Sequence, residues 1–281
     1  LVTAATGGQD ISVGATTAIA GSVLLRILCG GNSRPESLQA PIIVAFLIAC
    51  VVAMLFGAFN GILVAVFKIQ PMIATLILYT AGRSIAAWIN NNELPVISDP
   101  TFTYFGEFIP GIPIPTPFFI AVACMIIIGL TLKFTNLRLY TQAVGINENA
   151  SRLNGLNPVF IKILSFVILG LCVGVVGLIK VSRISTINYS VIAKDIEMDA
   201  ILAVALGGNA LSGGKFNMLA SIIGAYVIQC LTTTLYKFNV RSDALPAYKA
   251  VVVILLVVVS APVVREKCNA FMAKRKVKEA V

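Results

Sequence analysis

Histidine is absent from the sequence, and charged side chains are scarce, since Asp, Glu, Lys and Arg make up only 12% of the 281 residues. The six cysteines include no CxxC pair, and most of them lie inside or beside apolar runs. Because metal sites combine closely spaced Cys, His and carboxylate ligands, we predict no metal site, and the cysteine spacing also gives no disulfide framework. An intramembrane enzyme is disfavoured as well, because the sequence offers no credible set of catalytic residues.

Apolar residues dominate the composition: they make up 58% of the chain, and the mean hydropathy is +0.94. Such values lie far from those of soluble domains and indicate a polytopic membrane protein. A helix of about 20 apolar residues crosses the roughly 30 Å hydrocarbon core of a bilayer. We therefore predict an all-α membrane fold built from the apolar stretches at 11–28, 41–67, 71–89, 117–132, 159–179, 216–236 and 244–264, with a shorter arm at 200–206.

The net charge of +9 is spread between these apolar spans, so it does not indicate a nucleic-acid-binding surface. It does predict orientation, because basic residues in short loops stay on the cytoplasmic side. The loop at 90–116 carries three acidic residues and no basic one, whereas the loop at 133–158 carries three basic residues. The tail at 265–281 has six basic residues against two acidic ones. We expect the first loop to lie outside the cell, and the second loop and the C-terminal tail to be cytoplasmic.

Two glycine-rich blocks interrupt apolar runs. Residues 7–14 read GGQDISVG and residues 207–214 read GGNALSGG, so that four of the eight positions are identical. Chance is one explanation of this match, because membrane helices use glycine freely for packing. The other is an internal repeat, and discontinuous helices in corresponding halves point to a transport site. We predict helices that are broken at both blocks.

Five ordered blocks resemble the permease subunits of ribose/galactose-type monosaccharide ABC importers. The blocks are GGQDISVG, FNGILVAVFKIQPMIATLILYTAGR, AVGINENASRLNGLN, MDAILAVALGGNALSGGKFN and YKAVVVILLVV. Within that family, the segments NGILVA, KIQP, ATLIL, AGR and DAILAV are most similar to galactofuranose permeases. The resemblance covers nearly the whole chain, so residues 1–281 are expected to form a single permease domain in a bacterial plasma membrane. Because the chain begins with LVTAATGG and has no starting methionine, we expect an N-terminal helix to be missing.

Besides the lipid bilayer, the resemblance implies three protein partners: a second permease copy or homologue, a separate ABC ATPase that binds ATP and Mg²⁺, and an extracytoplasmic sugar-binding protein. The chain itself would bind no cofactor and hydrolyse no ATP; its GGNALSGGK segment also lacks the ending of a phosphate-binding loop. The implied function is ATP-driven import of a galactofuranose-, galactose- or ribose-like monosaccharide. The alternative is a secondary sugar transporter or channel without an ATPase. Asp10 is nearly alone as an ionisable residue within the spans, which disfavours an ion-coupled carrier.

Six polar residues in or between the spans are predicted to line the translocation path. An ionised carboxylate in hydrocarbon is costly unless protein or water solvates it. Asp10 therefore either caps the helix that follows it, or caps that helix and also faces a water-filled path. Asn60 and Gln229 lie in the middle of spans, where each needs a partner on another helix or on the sugar. The full set is Asp10, Ser12, Asn60, Asn209, Ser212 and Gln229.

Other charged residues are predicted to stabilise the structure and not to bind the cargo. Arg83 is expected near the outer end of its span, with its guanidinium reaching toward the headgroups. Asp195, Glu197 and Asp199 flank the short apolar arm and are expected to form a salt-bridge cluster at the membrane interface.

The segment at 138–158 is predicted to be cytoplasmic, and its small residues suit a short helix that lies along the membrane face. On composition alone, an ordinary connector explains the segment equally well. The resemblance favours a coupling helix, fixed between Gly145 and Gly155, that docks on the ATPase. The residues predicted to make this contact are Gly145, Asn147, Ala150, Arg152, Leu153 and Gly155.

Overall fold

The computed structural model describes residues 2–35, 37–108, 111, 113–241 and 244–260, so the predicted basic tail at 265–281 lies outside the described residues. The helices, in chain order, are α1 Val2–Ala5, α2 Val13–Leu28, α3 Ile42–Ala65, α4 Pro71–Ile89, α5 Pro100–Thr103, α6 Thr116–Phe134, α7 Leu137–Ile146, α8 Glu148–Leu153, α9 Pro158–Ile184, α10 Ile196–Leu206, α11 Met218–Lys237 and α12 Leu245–Ser260.

Among the described residues, five helices are long and apolar enough to cross a membrane: α3, α4, α6, α9 and α11. The shorter helices α2, α10 and α12 occupy the remaining predicted stretches. Proline fits the first helical position because its φ is already helical and its missing N–H needs no partner there. Pro71 and Pro158 accordingly begin α4 and α9. The predicted all-α, polytopic fold is confirmed.

The chain divides into two compact units. The first contains Leu1–Ile201 and Ala210–Met218, and the second contains Leu202–Asn209 and Leu219–Val281. In the second unit, α11 packs closely on the last turns of α10, because a methyl group placed at Gly224 would lie only 2.1 Å from the carbonyl oxygen of Ala203. Small residues therefore set the distance between these two helices.

Helices α3 and α9 form the closest helix pair of the first unit. Ala45, Ala49, Ala53 and Gly57 recur every fourth residue of α3 and are buried, whereas large apolar residues such as Leu47 and Leu55 on other faces are exposed. A methyl group at Gly57 would lie 2.4 Å from the carbonyl oxygen of Phe166 in α9. This pattern suits a membrane helix, which packs its small residues inward and presents its large residues to lipid.

The first unit has two ends. Loops 29–41, 90–99 and 185–192 meet at one end, where the amide of Ile97 donates to the carbonyl of Ser185 (2.9 Å); we call this the Glu93 end. The α3–α4 connector at 66–70 and the segment at 147–157 meet at the other, where both line one cavity; we call this the Lys68 end. The loops predicted to lie on opposite sides of the membrane thus lie at opposite ends of the unit.

Candidate functional site

The first glycine-rich block interrupts the helical backbone between α1 and α2, as the sequence predicted. Asp10 lies in this break and is held by the start of α2: its Oδ1 accepts hydrogen bonds from the backbone N–H (2.7 Å) and the Oγ (2.6 Å) of Ser12. Ser12 is the N-cap residue, but its own side chain makes no capping hydrogen bond. Asp10 therefore supplies an acceptor to an otherwise free backbone donor at the helix start.

The break is tied to two neighbouring helices. The Nδ2 of Asn60 in α3 donates to the Oγ of Ser12 (2.9 Å), and the backbone N–H of Ile11 donates to the Oγ1 of Thr75 in α4 (3.1 Å). Asn60 is only 1% exposed and Ser12 is fully buried. Asn60 thus makes the interhelical hydrogen bond that was one of its two predicted roles, and the structure brings Asp10, Ser12 and Asn60 into one buried chain of hydrogen bonds.

The second block separates α10 from α11. Asn209, in the second unit, donates through Nδ2 to the carbonyl of Val204 (3.2 Å) and to the Oγ of Ser221 (2.8 Å), and it thereby joins the end of α10 to the start of α11. Gln229 lies in the same unit, with an exposed side chain on α11, and Ser212 is exposed in the first unit. Within the described part of the chain, the side chain of Gln229 forms no hydrogen bond, so the partner expected for it on another helix is not found there.

The two breaks meet each other within the first unit. Gln9 Nε2 donates to the carbonyl of Leu211 (3.3 Å), and the backbone N–H of Gly214 donates to the carbonyl of Ala5 (2.9 Å). Gly145 of α7 lies against both partners of the second bond, because a methyl group placed there would be 1.8 Å from Ala5 O and 2.6 Å from Gly214 N. We call Ala5, Gly145 and Gly214 the glycine junction.

This packing places Gly145 differently from the sequence prediction, while its part in ATPase coupling stays a prediction. The sequence placed Gly145 at the edge of a docking helix, but it lies in α7 and packs inward at the glycine junction. The short helix in the predicted segment is α8, which ends before Gly155, a residue of the following turn with φ +78°. Asn147 caps α8 by accepting the N–H of Ala150 (3.0 Å).

The surface of α8 faces away from the rest of the first unit. Asn147, Ala150 and Arg152 are exposed, and Leu153 is 90% exposed. The helix is nevertheless anchored, because Glu148 forms an ion pair with Lys162 of α9 (2.6 Å). The structure therefore brings four of the six predicted coupling residues onto one short, fixed surface.

A cavity of about 380 Å³ lies at the Lys68 end, beside α8. It borders the first break at Gly7, α8 at Asn149 and Arg152, and the α3–α4 connector at Lys68 and Gln70. Its volume falls within the range of about 300–1,000 Å³ that small-molecule sites occupy. The first break therefore adjoins a polar cavity, although Asp10, Ser12 and Asn60 are not among the residues that line it.

Comparison with known proteins finds permeases. The family model described as "Branched-chain amino acid transport system / permease component" matches residues 1–261. The chain belongs to this permease family. It is 38% identical to the galactofuranose transporter permease protein YtfT of Escherichia coli, over 91% of this chain and 72% of that protein. No solved structure matches the chain.

Two further relatives of the permease are named for sugars. It is 35% identical to the fructose import permease protein FruF of Bifidobacterium longum, over 97% of this chain and 75% of that protein. It is 34% identical to the ribose import permease protein RbsC of Escherichia coli, over 90% of this chain and 77% of that protein. The resemblance to permeases of ABC sugar importers is confirmed, and these relatives do not favour a secondary transporter or channel.

Two charged residues of the permease have protein surroundings that sequence reasoning did not foresee. Arg83 reaches toward the Glu93 end, where its Nη1 donates to the carbonyls of Tyr189 (2.7 Å) and Ile192 (3.1 Å). Glu197 is 1% exposed and forms no ion pair with another described residue, so it takes no part in a salt-bridge cluster there. Arg83 is the only charged residue at 71–89. An isolated charge in a membrane span calls for a partner within the protein, and that signal could have indicated that Arg83 is held by another segment.

Proposed function

We propose that this permease is the membrane subunit of an ATP-driven importer that moves a monosaccharide into the cytoplasm. Its relatives are permeases for galactofuranose, fructose and ribose, and this supports a monosaccharide cargo. The proposed partners are a second permease copy or homologue, an extracytoplasmic sugar-binding protein, and an ABC ATPase that holds ATP and Mg²⁺ and carries out hydrolysis. The proposed location is a bacterial inner membrane, with the Glu93 end outside and the C-terminus in the cytoplasm.

The glycine junction is the single observation that carries the mechanism. An importer must transmit nucleotide-driven movement from its cytoplasmic face to the path, and such movement travels through elements in direct, rigid contact. Gly145 of α7 touches the backbone of both breaks, at Ala5 and Gly214. A displacement of α7 and α8 would therefore reach the backbone of α1 at Ala5 and of the second glycine-rich block at Gly214, without an intervening flexible side chain.

The exposed surface of α8 is the proposed docking site for the ATPase. Ala150 leaves space for a close approach, Leu153 offers an apolar contact, and Arg152 can pair with a carboxylate on the ATPase. Asn147 and the Glu148–Lys162 ion pair keep α8 fixed, so that it moves with α9 as one body.

The predicted path residues take two proposed roles. Asp10, Ser12 and Asn60 hold the first break in shape, since their hydrogen bonds are mutual and buried. Ser212 and Gln229 have exposed side chains, so they are the proposed sugar-facing members of the set. A broken helix is tolerated at membrane depth where it lines such a path.

Ala150→Trp tests the docking surface. The bulky ring should block the ATPase from approaching α8, so we expect folded permease in normal amounts, reduced co-purification with the ATPase, and hydrolysis that no longer drives uptake. Ser37→Trp is the matched control, because Ser37 is exposed at the Glu93 end. Normal co-purification together with normal uptake in Ala150→Trp would show that the ATPase docks elsewhere.

A further inference from the structure

Two charged side chains meet beside the first turn of α2, within the first unit. A methyl group placed at Gly14 would lie 2.5 Å from Glu197 Oε2 and 3.4 Å from Arg83 Nη2, so both atoms border the same small space. Each of them is buried without a hydrogen-bond partner in the described part of the chain, and they do not form a direct ion pair. The Glu197 carboxyl has backbone hydrogen bonds at the start of α2 and of α10, and Arg83 is bonded through Nη1. Because buried charges are costly unless they pair, a direct Arg83–Glu197 ion pair would satisfy the two remaining atoms.

The other end of the Arg83 guanidinium holds the α9–α10 connector, residues 185–195. Its Nη1 donates to the carbonyls of Tyr189 (2.7 Å) and Ile192 (3.1 Å). The hydroxyl of Tyr189 donates to the carbonyl of Glu93, and the Oγ1 of Thr186 donates to the carbonyl of Pro95 (3.0 Å). Tyr189 therefore links a loop of the Glu93 end directly to Arg83, a half-buried arginine.

The connector has a strained backbone just before Glu197. Ala193 has φ +51° and Asp195 has φ +63°, which is the left-handed region that residues with a Cβ rarely adopt. Such conformations persist only where the surrounding contacts hold them, and they concentrate at switching segments. The two hydrogen bonds from Arg83 are contacts of that kind.

We infer that Arg83 and Glu197 are positioning residues that couple the Glu93 end to α10 during transport. In the present conformation Arg83 holds the connector. When the docked binding protein displaces the loop at 93–97, Tyr189 moves with it, and the released guanidinium pairs with Glu197 at the start of α10. In the present state Nη1 of Arg83 is bonded to the connector, and in the second state the guanidinium is bonded to Glu197. Two alternative sets of contacts of this kind are what a two-state element requires. The direction of the signal, from outside to inside, rests on the proposed function.

The test uses the complete importer, with its ATPase and binding protein, in proteoliposomes. Glu197→Gln keeps the volume but removes the charge, and Tyr189→Phe removes the hydroxyl contacts with Glu93 and Asn90. Both should lower the binding-protein-stimulated ATPase rate, Glu197→Gln by about tenfold, a size typical of allosteric coupling, while basal hydrolysis stays unchanged. Glu197→Asp, which keeps the charge, should recover most of the stimulation. Arg183→Gln is the matched control, because Arg183 is exposed at the same end.

Hydrogen exchange on the purified permease gives a second measurement that needs no ATPase, so it decides the inference even if the proposed function fails. Amides at 185–196 should exchange about tenfold faster in Arg83→Gln than in the unmodified permease, because the strained connector loses its restraint. The inference is overturned if the Glu197 and Tyr189 variants match Arg183→Gln in stimulated hydrolysis, or if the exchange of 185–196 is unchanged in Arg83→Gln.

Discussion

Asp10 accepts two hydrogen bonds through one oxygen atom, and both come from Ser12. Asp10→Asn keeps an acceptor at this place, whereas Asp10→Ala leaves two donors of a buried residue without a partner. Each such loss costs about 1–3 kcal/mol. We therefore expect Asp10→Ala to lower the thermal midpoint and the yield of folded permease, and Asp10→Asn to keep both near normal.

The charge of Asp10 is tested separately by transport. If its hydrogen bonds alone matter, uptake per folded molecule in Asp10→Asn should equal that of the unmodified permease. A large loss of uptake in Asp10→Asn at normal yield would contradict the proposed role of holding the break and would assign Asp10 to the path itself.

Single residues were predicted from the sequence with mixed success, for a physical reason. That Asn60 needs a partner follows from its place in an apolar span, but the partner, Ser12, is 48 positions away, and only the fold brings the two together. Arg83 was assigned to the headgroups because a long side chain can reach them. The sequence could not show that the connector carbonyls and Glu197 fold back to the same depth.

At the scale of elements, α7 and the two breaks form one contact, and Gly145→Ala tests it. A methyl group would lie 1.8 Å from the carbonyl oxygen of Ala5, so α7 must move away and the glycine junction must open. We expect uptake to fall by at least about tenfold, as for other disrupted couplings, with a smaller loss of folded protein.

Gly129→Ala is the matched control for Gly145→Ala. Gly129 also lies within a helix, α6, but its nearest neighbour would be the Sδ of Met218 at 3.7 Å, an ordinary contact. Uptake should therefore stay normal in Gly129→Ala. Equal uptake in the two variants would show that the glycine junction does not transmit movement.

Elements were predicted more reliably than single residues, because a span needs only length and apolarity. The stretch at 71–89 coincides with α4, and the glycine blocks at 7–14 and 207–214 interrupt the helices as expected. The division of the predicted coupling segment into α7 and α8 was missed. Gly145 was taken as a helix boundary, yet a glycine within a helix also serves close packing, and sequence alone does not separate the two uses.

For the whole molecule, cargo is the property that the fold does not fix. The family description names branched-chain amino acid transport, whereas the relatives YtfT, FruF and RbsC are named for sugars. We expect the purified cognate binding protein to retain a monosaccharide, identified by mass spectrometry of the released ligand. Retention of leucine, isoleucine or valine in its place would contradict a sugar cargo.

The most direct test of ATP-driven sugar import is uptake by the complete importer in proteoliposomes that contain ATP. The labelled monosaccharide should be the one that the binding protein retains. Uptake should require both ATP and the binding protein, and ionophores that collapse proton and sodium gradients should leave it unchanged. Uptake that continues without ATP and follows an imposed ion gradient would contradict the account.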